Sequence, residues 1–107
     1  MNGPVTPDGR YIVAQGLAGP RLWRASNPAL GPEERQALVD QLMDARRAIR
    51  NANGDEQAIA LARSAVDRAK RSLGERGAIW WADGEPDLNR HLVANSPYKD
   101  WWERERA

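Results

Sequence analysis

Between Gly31 and Leu73, apolar residues recur every three or four positions, with one interruption at Asn53-Gly54. The first run is Leu38, Leu42, Ala45, Ile49 and Ala52; the second is Ile59, Ala62, Val66, Ala69 and Leu73. This spacing is the seam of two helices packed on each other. A connection this short makes them antiparallel. Local signals put the helices at about 32–52 and 55–73. Pro32 suits a first helical position, where its missing N–H costs nothing. Glu33 and Glu34 follow it, and Arg46, Arg47 and Arg50 close the same helix, so charge complements the helix dipole at both ends. Asp55 is placed to cap the second helix, which ends in Arg68, Lys70 and Arg71 before Gly74.

Ahead of this pair the pattern changes period. Tyr11-Ile12-Val13 is aromatic and β-branched, Gly16 to Pro20 is turn chemistry, and Arg21-Leu22-Trp23-Arg24 alternates. The pattern predicts a small β-hairpin, which is marginal without support. Tyr11, Val13, Leu22 and Trp23 are available to lean on the helices. Residues 1–9 hold two Pro and two Gly with no periodicity and read as a flexible arm. Residues 10–107 then form one small domain, the size that a single modest core supports.

After Gly77 the chain becomes rich in tryptophan. Ala78-Ile79-Trp80-Trp81 is a short apolar run ended by Asp83-Gly84. Leu88 and Leu92 share a face if 87–93 is helical, and Tyr98, Trp101 and Trp102 share a face if 98–106 is. Ser96-Pro97 reads as a cap and first-position proline for that last helix. The predicted fold is therefore mainly α: an antiparallel helical hairpin with a small N-terminal β-hairpin and short C-terminal helices. The helix seam is rich in Ala, which buries little area. A covering layer is expected, supplied by the β-hairpin, the tail or a second copy of the chain.

Composition narrows the function more than it names it. Sixteen basic and fifteen acidic residues leave a net charge of +1, which gives no global pull toward nucleic acid or a membrane surface. There is no cysteine, hence no disulfide or thiolate site. The first residues lack the basic and apolar regions of a signal peptide, and no apolar run approaches a membrane span, so a cytoplasmic setting is expected. Residues 46–76 carry eight cations and four acids, a net +4 that suggests nucleic acid as the alternative partner. An antiparallel pair disperses that charge to opposite ends, which disfavours the alternative.

Asp87, His91 and Ser96 are the one grouping with catalytic residue types. On one short tail segment they have no walled pocket, and a triad is defined by geometry rather than proximity in sequence. One His with no Cys is a poor metal site. No catalytic residue, cofactor or metal ligand is assigned, and the protein is expected not to be an enzyme.

The sharpest chemical signal is aromatic. Five Trp, two Tyr and no Phe mean that indoles must supply much of the large-volume packing. One member of each Trp pair is expected in the core and the other at an interface, where Trp is enriched at hot spots. The candidate interaction surface comprises Trp80, Trp81, Asn89, Arg90, His91, Tyr98, Trp101 and Trp102. The expected partner is another protein, and a homo-oligomer is a candidate.

The stretch Gly-Glu-Arg-Gly-Ala-Ile-Trp-Trp-Ala-Asp-Gly-Glu-Pro-Asp-Leu-Asn-Arg-His-Leu-Val-Ala-Asn-Ser-Pro-Tyr, from Gly74 to Tyr98 and followed by Trp101, resembles the C-terminal segment of small bacterial proteins of unknown function. The resemblance covers about a quarter of the chain and implies no activity and no functional residue.

Overall fold

A computed structural model describes residues 3–106. Its elements, in order, are β1 (Tyr11–Gly16), β2 (Gly19–Arg24), α1 (Pro32–Arg50), α2 (Glu56–Leu73), a single 3-10 turn (Val93–Asn95) and α3 (Lys99–Glu105). The architecture is mixed α and β rather than mainly α, because strand-like pairing extends well beyond the hairpin. The chain, read from sequence as one domain over 10–107, divides into two compact units. One is Asn27–Trp80; the other joins the described residues up to Ser26 to those from Trp81 onward.

The Asn27–Trp80 unit is the helix pair. All ten predicted seam positions are buried or half-buried, with Leu42, Ala45, Ala62, Ala69 and Leu73 in the interior. Leu42, Ala69 and Leu73 form a cluster onto which Leu30, Leu38, Val39 and Val66 pack. The helix ends follow their local chemistry. Pro32 opens α1, and the Asp55 carboxylate accepts from the Ala58 N–H at 3.1 Å. Gly74 stops α2 in the left-handed conformation at φ 92°. The incoming chain is tied to that stop, because the Asn27 N–H donates to the Leu73 carbonyl at 2.8 Å.

The other unit is built around the β-hairpin, with Tyr11 paired to Arg24 and Gly16 to Gly19. Two strands cannot stand alone in water, and here they are held from both sides by irregular chain. On one side lies the segment expected as an arm. From Gly3 onward it is hydrogen-bonded to β1: Val5 bridges Ile12, Val13 N–H donates to the Pro4 carbonyl at 2.8 Å, and Thr6 is 2% exposed. Met1 and Asn2 lie outside the described residues. On the other side lies the tail. Arg21 bridges Leu92, Leu22 N–H donates to the His91 carbonyl at 2.9 Å, and Arg90 N–H donates to the Leu22 carbonyl at 2.6 Å.

The helix expected over 87–93 is not formed. Asp87 closes an Asx turn instead, its carboxylate accepting from Asn89 N–H at 3.0 Å. Such local bonds compete directly with helix. Arg90 then takes a left-handed conformation at φ 73°, and Leu92 is extended against β2. The last helix does form, as α3, although Ser96 is not its N-cap. Ser96 Oγ donates to the Val93 carbonyl at 2.8 Å and accepts from Tyr98 N–H at 3.2 Å, making the turn that precedes the helix.

Candidate interaction surface

The eight residues read as one surface fall into separate places. Trp80 belongs to the helix-pair unit, where it is half-buried. The other seven belong to the hairpin unit and occupy three distinct settings there.

The first setting is interior. Trp81 is 8% exposed, and its indole N–H donates to the Glu85 carbonyl at 2.8 Å. Its ring meets Tyr11 edge-on at 5.6 Å, and the Arg10 guanidinium lies 4.9 Å from the ring centre. Arg10 also pairs with Asp83, which holds that carboxyl below its ordinary range. Tyr98 approaches Tyr11 from another direction, edge-on at 5.7 Å, and its hydroxyl donates to Asp8. Burial, then that hydrogen bond, pushes the Tyr98 phenol well above its ordinary value. At Asp8 burial pulls the carboxyl upward, but the bonds from Tyr98, Thr6 and the Arg10 backbone outweigh it and hold the group low. Trp81 and Tyr98 thus serve as packing for Tyr11. A groove of about 380 Å³ opens beside them, lined by Asp8, Arg10, Asp83, Pro86 and Tyr98 among others.

The second setting is the edge of β2. The Asn89 side-chain oxygen accepts from the Arg24 backbone N–H at 2.8 Å, and the Arg90 carbonyl accepts from the Arg21 guanidinium at 2.5 Å. These contacts fix the chain path. The Arg90 and His91 side chains are exposed. Without the 87–93 helix, Asp87 and His91 are not aligned on one face. Asp87 pairs with Arg24 at 3.2 Å, and Ser96 is engaged in its turn. Among the described residues no side-chain hydrogen bond or ion pair joins Asp87, His91 and Ser96, and no group of acids and His is placed to hold a metal ion.

The third setting is α3. Trp101 and Trp102 are half-buried, with ring centres 6.2 Å apart and planes tilted by 47°. Trp102 lines a mainly apolar groove of about 120 Å³ together with Ala18, Pro20, Leu92, Val93 and Ala94. Lys99, Glu103 and Arg106 complete its rim. Leu17, adjacent at the hairpin tip, is 85% exposed. Ala18, Pro20 and Leu92 are members of this site that the sequence pattern does not predict. The one local signal for it was a Leu standing in a turn, since the groove arises only when Leu92 pairs with β2.

The cationic residues of 46–76 are spread out. Arg47 pairs with Asp44, while Asp67 accepts from Arg71 at 2.8 Å and from Arg76 at 3.2 Å. No described helix is long and apolar enough to cross a membrane. Comparison with protein-family models, characterised proteins and solved structures finds no match to this chain, so function is argued from its own residues.

Proposed function

We propose that this is a non-enzymatic cytoplasmic binding protein that grips a partner protein with the α3 face of its hairpin unit. The observation that carries this reading is the half-exposed Trp101–Trp102 pair standing beside the Trp102-lined apolar groove. Trp at the centre of a small apolar depression with a polar rim is the anatomy of an interface hot spot. The groove accommodates one apolar side chain of a partner, and Lys99 and Arg106 on its rim favour an acidic neighbour to that side chain. Trp81, Asn89 and Tyr98 act in this reading by holding the tail in place. The nucleic-acid alternative is weakened by dispersal of the charge: the basic last turns, Arg47 and Arg50 of α1 and Lys70 and Arg71 of α2, lie at opposite ends of the antiparallel pair.

The test is site-specific photo-crosslinking in the native cell. A photoreactive side chain replacing Trp102 should give one defined protein adduct that a probe at the exposed Gln57 does not give. Identical adduct patterns from the two positions, or none from Trp102, would overturn the reading.

A further inference from the structure

The helix pair has its own open groove, of about 580 Å³, lined by Gln41, Asp44 and Ala45 of α1 and by Ala65, Arg68 and Ser72 of α2. The two sides differ in size and sign. The α1 side is small and acidic: Ala45, the exposed Ala48 one turn on, and Asp44. The α2 side is basic at Arg68 and, beside the small Ala65 and Ser72, carries one large apolar residue, Leu61, one turn before Ala65. Leu61 is 73% exposed, which is unusual for a large aliphatic residue in the middle of a helix. The Arg68 side chain makes no hydrogen bond or ion pair among the described residues. Because the helices are antiparallel and Leu42 packs with Ala69, Asp44 lies level with Arg68, and the turn from Ala48 to Ala52 lies level with Leu61.

We infer that this face is the interface of a homodimer. A second copy related by a two-fold axis parallel to the helices lays its α2 on this α1 and its α1 on this α2, with the levels unchanged. Leu61 then enters the small-residue side beside the partner's Ala48, and Arg68 meets the partner's Asp44. Symmetry repeats both contacts. Neighbouring helices are antiparallel throughout, the arrangement of a four-helix bundle. A second copy is the occupant because both complements, large to small and positive to negative, are present on one chain. The Asp44–Arg47 pair within the chain is exposed and holds Asp44 only weakly.

Sedimentation equilibrium on the full chain tests this. The wild type should show a species at twice the 12.0 kDa chain mass. Leu61→Glu should weaken association about tenfold or more, with unchanged circular dichroism and, at concentrations where both proteins are monomeric, an unchanged unfolding midpoint, because the side chain is exposed in the single chain. Arg68→Asp should weaken it too, and adding Asp44→Arg should restore it. A wild type that stays monomeric at the highest concentration reached overturns the inference. So does a Leu61→Glu dimer as tight as the wild type, or a charge swap that restores nothing.

Discussion

The Tyr11 hydroxyl accepts a hydrogen bond from the backbone N–H of Leu88 at 2.8 Å, joining β1 to a segment 77 residues further along the chain. The same hydroxyl donates to the Pro86 carbonyl at 3.3 Å, and the Tyr11 side chain is 1% exposed. One phenol therefore fixes the loop that has no regular structure of its own. Tyr11→Phe leaves the Leu88 N–H without that acceptor, at a cost of about 1–3 kcal/mol. Chemical denaturation should show the loss as a lower midpoint with an unchanged slope. An unaltered midpoint would mean that water replaces the phenol at no cost.

The hairpin tip stores some strain. Ala18 sits at φ 69°, where an L residue with a Cβ is disfavoured. Ala18→Gly should therefore stabilise the protein by about 0.5–1 kcal/mol, after allowing for the greater freedom of Gly in the unfolded chain. A clear loss of stability in thermal unfolding would count against the turn as described.

Gly74 and Gly54 both have positive φ, at 92° and 81°, but their surroundings differ. A Cβ on Gly74 would stand 3.0 Å from both the Asn27 Cβ and the Trp80 Cδ1, whereas one on Gly54 would meet nothing within 4 Å. Gly54→Ala should cost only the backbone strain, about 1 kcal/mol. Gly74→Ala should cost roughly 2–3 kcal/mol, since packing adds to that strain. Equal losses from the two variants would mean that Asn27 and Trp80 do not crowd position 74.

What the sequence reveals about this fold tracks how local the determinants are. The seam from Leu38 to Leu73, the Asp55 cap and the Gly74 stop all act within one or two helical turns, and each is found where the pattern predicts it. The hairpin is legible for the same reason, with the Gly16 to Pro20 turn closing β1 onto β2. The tail is not. Leu88 and Leu92 have helical spacing, yet the Asp87 carboxylate caps Asn89 locally and Leu92 finds a long-range bridge to Arg21. A four-residue apolar spacing carries no information about a strand edge lying 71 residues earlier in sequence. The candidate site fared likewise. Its tryptophans stand out by composition, but whether an indole packs on Tyr11, as Trp81 does, or lines a groove, as Trp102 does, is decided by tertiary contacts.

Both tyrosines should be slow to give up their protons. Burial raises the Tyr11 phenol above its ordinary value of 10.0, and burial together with the Asp8 bond raises Tyr98 further. A group whose pKa rises on folding contributes stability that is full below its unfolded value and is lost as pH climbs through the folded one. Stability should therefore decline above pH 10, and the phenolate absorbance near 295 nm should appear together with loss of the far-ultraviolet dichroism. Two tyrosines ionising at about pH 10 in a chain that stays folded would contradict the Tyr11–Tyr98–Asp8 cluster.

If α3 carries the binding surface, quantitative affinity capture from the native cell detects it most directly. Wild-type protein and Trp102→Ala are used at matched levels, after their unfolding midpoints have been shown to lie close together. A partner recovered in fixed proportion with the wild type should fall about tenfold or more with Trp102→Ala, as removal of an interface hot spot requires. The same partner retained in full by Trp102→Ala would contradict the claim and place recognition elsewhere on the chain.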